Sequence, residues 1–198
     1  MILFLASFSF KSERVRKVPA ALKVVEPTMV LYPQYKINAE PKEVNPPFLG
    51  STFHGFKEAL AFSESRGNYF IINTLGYIGK YQFGIGTLQL MGVYNATQFL
   101  NDPGLQEKVF NTNIARNKWI LRKDILLFSG KKIRGIKITE SGILAAAHLA
   151  GPGNVRKYLR SFGRYNVQDA YGTAISDYIA RFSGYDVSNV SAKRNPRV

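Results

Sequence analysis

A chain of 198 residues, 45% apolar and 13% aromatic, is long enough to bury one sizeable core and short for two. With no cysteine and two histidines, it can build neither a disulfide framework nor a thiolate metal site, and a protein-built zinc site is disfavoured. A formal net charge of +14 attracts polyanions, whether nucleic acid, anionic lipid or an acidic cell-wall polymer, without choosing among them.

Met1 to Ala6 has the apolar character of an export-signal core, but no basic segment precedes it and Ser7-Phe8-Ser9-Phe10 is a poor cleavage context. No run reaches the length needed to span a bilayer. Residues 1–50 carry six of the nine prolines (Pro19, Pro27, Pro33, Pro41, Pro46, Pro47). Proline at this density interrupts helices and central strands, so an extended arm or docking segment is expected, with the compact domain over 51–187.

Ser51 or Thr52 can cap a helix to about Arg66, with Phe56, Ala59, Leu60 and Ser63 recurring on one face and Gly67-Asn68 as the stop. Residues 69–84 are too rich in glycine and aromatics for a helix; Asn73 to Gly76 reads as a turn, with short strands around 69–72 or 77–83. A helix around 85–91 and a short one near 95–100 follow. Asp102 and Pro103 then supply the cap and first position of a helix of about twenty residues, ending near Leu127. Ser129 to Lys137 reads as a basic loop or small hairpin. Thr139 caps the next helix, in which small Ala145 and Ala146 permit close contact, and Gly151-Pro152-Gly153 ends it. Helices over 154–162, capped by Asn154, and 170–182 complete the domain. The tail 188–198 is polar and basic and is expected to be mobile. The sum is a mainly α fold, α+β at most, with an irregular or β-containing insert.

Glu64 stands at the end of the first helix, before the glycine-framed loop Gly79-Lys80-Tyr81-Gln82-Phe83-Gly84. The Gln82 amide can donate to and accept from an N-acetyl group, or bond its own loop. Tyr77 and Tyr81 can stack on sugar faces or pack the insert. Lys80 is expected to be exposed, either solvated or meeting a carboxylate. His148 fits a buried histidine satisfied by one hydrogen bond, or a place on a cleft floor. Tyr178 fits the core, with its hydroxyl turned toward Glu64. Gly151-Pro152-Gly153-Asn154 has neither the lysine nor the preceding strand of a phosphate loop. No acidic residue follows Glu64 until Asp102, which is more simply a cap.

Glu64 to Asn68, Gly79 to Gly84, Ala145 to Val155 and Ile175 to Phe182, in this order, together resemble the lysozyme-like lytic transglycosylases, a group that includes the goose-type lysozymes. The resemblance covers roughly residues 52–186. It implies a lysozyme-like helical domain and cleavage of the bond between N-acetylmuramic acid and N-acetylglucosamine, with formation of a 1,6-anhydro product. Glu64 would be the single acid and base, and Ser65 would brace the adjacent loop. Phe62, Tyr69, Tyr81 and Phe83 are the expected apolar surroundings of the acid. Ser65, Tyr77, Lys80, Tyr81, Gln82, Phe83, His148 and Tyr178 are the candidate substrate-binding residues. The family's tyrosine and asparagine are replaced by His148 and Leu149, which alters a hydrogen bond usually made there.

No metal or cofactor is implied. The implied partners are peptidoglycan strands and an anionic wall surface, with the arm able to dock a protein partner. The implied place of action is the cell envelope, the periplasm, the cell exterior or a virus particle. A hydrolytic muramidase and an inactive wall-binding protein remain open alternatives. Nucleic-acid binding would explain the charge but not Glu64, and no helix matches a recognition motif.

Overall fold

The computed structural model describes residues 49–198 and, upstream of them, Lys23. The arm, export and docking expectations for residues 1–48 lie outside this range.

Local capping sets most helix starts. Thr52 Oγ1 accepts the Gly55 N–H at 3.1 Å and opens α1 (Phe53–Ser65), which closes on Arg66 in the left-handed conformation, one residue before the expected glycine. α2 (Ile85–Leu90) is followed by α3 (Ala96–Asn101), where Asn95 Oδ1 accepts from Gln98 N at 2.9 Å. Asp102 caps α4 (Pro103–Phe128) through Leu105 N at 2.8 Å, with Pro103 in the first turn. α4 has 26 residues rather than about twenty. At 1.5 Å per residue it is about 39 Å long. The basic loop forms an antiparallel hairpin of β1 (Lys132–Ile133) and β2 (Ile136–Lys137). Arg134 and Gly135 at its tip both have positive φ, as a tight primed turn requires. Thr139 caps α5 (Glu140–Ala150), and α6 (Pro152–Arg160) and α7 (Ile175–Arg181) follow. This is a mainly α fold with one small antiparallel hairpin.

Three expectations are corrected here. α6 starts at Pro152, so Asn154 lies inside the helix, and its amide donates back to Ala150 O while Tyr165 Oη donates to its oxygen. The last helix begins at Ile175, because Asp169 ties residues 169–173 into a turn through the Tyr171 and Thr173 N–H groups. The tail lies against the domain rather than apart from it: Lys193 N donates to Ala115 O on α4 and Val198 N to Met91 O after α2.

α5 is the centre of the packing, with Ser141 to Ala147 buried and α4, α6 and α7 around it. The close contact with α7 falls on Gly142, where a β-carbon would lie 2.6 Å from Ile179 O. α4 and α6 are joined by the buried Asp124, which accepts from Arg156 Nε at 3.1 Å and Arg160 Nε at 2.9 Å. Arg156 and Arg160 are therefore not simply a solvated face.

The insert over 69–84 forms no strand ladder, only isolated bridges of Ile78 with Ile72 and Phe83. Its shape is imposed by two consecutive residues of α4. Gln106, wholly buried, accepts from Lys80 N at 2.8 Å and donates to Tyr69 O, Phe99 O and Leu100 O. Gly79 leaves the room that this amide occupies. Glu107 is ion-paired to Lys57 and to Lys80 and accepts from the hydroxyls of Tyr69 (2.8 Å) and Tyr81 (3.0 Å). Burial opposes its charge, but hydrogen bonds from Lys57, Lys80 and Tyr69 outweigh it and hold the carboxyl at about 2.

This cluster predicts an acid-sensitive fold. A depressed carboxyl contributes stability that is complete above its unfolded value, near the ordinary 4.5, and is lost as pH falls toward about 2. Glu107→Gln leaves the buried Lys57 without its counter-ion, and breaking such a pair costs on the order of 3 kcal/mol. Thermal unfolding followed from neutral to acid pH should show the variant well below the wild type at neutral pH. The two curves should converge toward pH 2, and a constant difference at all pH values would assign the loss to packing instead.

Candidate functional site

α1 ends beside the insert, and that junction sets the position of Glu64. Ser65 Oγ donates to Lys80 O at 2.7 Å, fixing the helix end to the glycine-framed loop. Glu64 itself is half-buried, and Tyr178 Oη from α7 donates to its Oε1 at 2.6 Å, across 114 positions of sequence. Burial, and then the charge of Glu64, hold the Tyr178 hydroxyl above the ordinary phenol range, so it remains a donor through neutral pH. With Oε1 engaged, Oε2 accepts nothing from the described residues.

Glu64 borders two cavities. One, of about 110 Å³, is lined by Asn73, Tyr77, Gln82, His148, Asp169 and Tyr171, among others. The second lies on the other side, between Phe62, Arg66, Ile71 and Arg181. Tyr77, Gln82, His148 and Leu149 also line a third cavity of about 320 Å³, which extends to Asn113, Arg116 and Asn117 of α4. Shared walls therefore place the three in series, with Glu64 at the first junction and the Gln82–His148 pair at the next. The series is a groove more than a closed pocket, and its walls mix aromatic surface with amides.

Gln82 has φ +50°, uncommon for a residue with a side chain. Its Nε2 donates to Gly79 O at 2.8 Å, so the amide nitrogen serves its own loop while the residue lines the groove. His148 Nε2 lies 2.8 Å from Tyr81 O. A carbonyl only accepts, so Nε2 carries the proton and the ring is locked, edge-on, against Phe83. The one hydrogen bond foreseen for His148 is present, but the ring is half-buried rather than buried and also lines the groove. Tyr77 is 44% exposed and Phe83 is buried in the groove wall.

Lys80 and Tyr81 are elsewhere. Lys80 is 4% exposed, with Nζ bound to Glu58, Glu107 and Tyr69, and Tyr81 is fully buried, stacked on Phe110 at 4.0 Å. Neither borders a described cavity, so the expected exposure of Lys80 and the stacking role of Tyr81 are corrected to structural ones. The apolar shelter expected for Glu64 is corrected too: Phe62 is 62% exposed and Tyr69 is turned to Glu107. Tyr178 is the neighbour that matters.

Sequence reasoning missed Asp169. It brings a second carboxylate to the same cavity as Glu64, with Oδ1 held by two backbone N–H groups. Reading 170–182 as one helix hid it; Asp169 followed by Gly172 was the turn signal. Asn113 and Asn117, where Asn117 Nδ2 donates a hydrogen bond to Asn113 Oδ1 at 3.0 Å, were missed because they sit inside a long helix.

No protein-family model, curated protein or solved structure matches the chain.

The contact between Tyr178 and Glu64 can be tested directly. Tyr178→Phe keeps the packing against Phe182 and removes one hydrogen bond to a half-buried carboxyl group, a loss of about 1 kcal/mol in urea unfolding. A Glu64→Gln/Tyr178→Phe double mutant should be less destabilised than the sum of the single changes. Strict additivity would mean that the two side chains are not coupled in solution.

Proposed function

We propose that this protein cleaves peptidoglycan as a lytic transglycosylase of the lysozyme-like type, with Glu64 as general acid and base. The observation that carries the proposal is a carboxyl group at a helix end, oriented by a tyrosine hydroxyl and bordering two cavities of one groove. A groove open along its length suits a strand of sugars better than a small metabolite. Amide and aromatic walls suit N-acetylated pyranose rings, which present both hydrogen-bonding edges and apolar faces.

In this mechanism Glu64 delivers its proton to the glycosidic oxygen as the bond to the anomeric carbon of muramic acid breaks. The substrate's N-acetyl oxygen attacks that carbon from the opposite face. The C6 hydroxyl then displaces it and returns its proton to Glu64, which closes the 1,6-anhydro ring and restores the acid. Tyr178, a donor at neutral pH, holds the carboxyl rotamer through both transfers, leaving the other oxygen for the proton. Gln82 and the fixed His148 ring would shape the wall beside the acetamido group. Leu149 replaces the asparagine of the resembling family, so polar contacts on that side would fall to Asn113 and Asn117. Such a substrate lies outside the cytoplasm, so the protein would act in the envelope, outside the cell or from a virus particle.

Asp169 favours one second reading. A carboxylate across the same cavity can serve as base for an attacking water, giving a hydrolytic muramidase with reducing-end products.

Glu64→Gln should abolish turnover of purified peptidoglycan with the fold retained, since loss of acid-base catalysis is worth about 10²–10⁴ in rate. Mass analysis of wild-type digests should show muramyl products lighter by one water, and Asp169→Asn should still produce them. Reducing-end products that vanish in Asp169→Asn would establish the hydrolytic route. Undiminished activity of Glu64→Gln would remove the catalytic assignment.

A further inference from the structure

The far end of α4 carries an exposed apolar group that neither the core nor the groove explains. Leu126 is 87% exposed, Leu127 55% and Phe162 62%. Among the described residues they lie around Phe128, which follows both leucines and touches Phe162. Phe162 packs edge-on against Phe128 at 5.9 Å, and Lys131 N donates to Phe128 O. The Arg134 side chain lies over Gly163, where a β-carbon would be 3.0 Å from Arg134 Cδ. The C-terminus of α4, the hairpin and the loop after α6 therefore meet here, and none of these residues borders the groove.

The charge around the tip has one sign. Lys123, Lys131, Lys132 and Arg134 are exposed and have no acidic partner among the described residues. Asp124, the one acid on this half of α4, is buried beneath Arg156 and Arg160. One turn and then two back from Leu126 on the same face stand Arg122 and Trp119, with the guanidinium 4.1 Å from the ring centre. Aliphatic tips flanked by lysines, behind an amphipathic tryptophan, match the chemistry of a bilayer interface.

We propose that this tip docks on an anionic phospholipid surface, with Leu126, Leu127 and Phe162 entering the headgroup–acyl boundary and the lysines meeting phosphate. Charge alone would serve any polyanion. The exposed leucines select among them: a wall polymer or a nucleic acid offers little for them to enter, whereas a bilayer has an apolar interior. The helix is not a span, and no helix among the described residues is long and apolar enough to cross a membrane. The attachment is peripheral and salt-sensitive.

Trp119 is the only tryptophan of the chain, so its emission reports docking without a label. The full-length protein is titrated with phosphatidylcholine vesicles with and without phosphatidylglycerol, and separately with a short DNA duplex. A blue shift and flotation are expected with the anionic vesicles alone. Leu126→Ser/Leu127→Ser changes only exposed side chains; it should weaken vesicle binding on the order of tenfold or more while leaving DNA binding unchanged. Lys131→Glu/Lys132→Glu should weaken both. The proposal is overturned if anionic vesicles do not bind, if the double-serine variant binds them as the wild type does, or if it loses DNA binding equally. These outcomes are independent of whether Glu64 cleaves glycan.

Discussion

A half-buried carboxylate, Glu107, holds together the part of this molecule that has the least regular structure. The insert over 69–84 has no ladder of its own, and its aromatic side chains would satisfy many arrangements. Three elements meet at one carboxyl group: Lys57 from α1, Lys80 and two tyrosine hydroxyls from the insert, and Glu107 from α4. Burial penalises each charge, and the geometry must be nearly complete before the pairing offsets that penalty. The cluster therefore disfavours alternative packings more than it adds to stability. Lys80 transmits the constraint: its ammonium is fixed by Glu107 and Glu58, and its carbonyl receives Ser65. The position of Glu64, one residue away, follows from that anchor.

The parts of the fold legible in the sequence are those decided within a few residues. Thr52, Asp102 and Thr139 each accept from a backbone N–H three residues on, and each was readable as a cap because both partners are local. The insert was recognisable as irregular for the same reason. What could not be read depends on distant partners. Lysine is ordinarily solvated, so Lys80 read as exposed; its burial depends on Glu107, 27 positions away. The tail read as mobile from its polarity, yet α4 and the end of α2 offer it backbone acceptors. Asn154 is an intermediate case: a good cap by type, displaced because Pro152 is itself a good first helical residue.

The candidate site divides in the same way. Glu64, Gln82, His148 and Tyr178 are brought together around one groove or against one another, and all four were named because their segments resemble those of a known family. Lys80 and Tyr81, nameable on the same grounds, support the groove from behind. Asp169, Asn113 and Asn117 were not nameable, because a carboxylate in a turn and amides within a helix are ordinary until tertiary structure brings them to the two cavities that Gln82 and His148 share.

The positive charge also separates into two populations. Lys57, Lys80, Lys118, Arg156 and Arg160 are engaged by Glu107, Glu58, Glu140 and Asp124, so the high lysine and arginine content partly neutralises the protein's own acids at helix contacts. Those left unpaired at the α4–hairpin tip lie outside the groove. The site is not free of charge, since Arg66 and Arg181 border one cavity beside Glu64 and Arg116 another part of the groove, whereas the tip lysines border none of these cavities. The tyrosine that orients Glu64 is uncharged through neutral pH. Position and orientation of Glu64 are thus set by hydrogen bonds, from Ser65 to Lys80 O at the helix end and from Tyr178 to the carboxyl group itself.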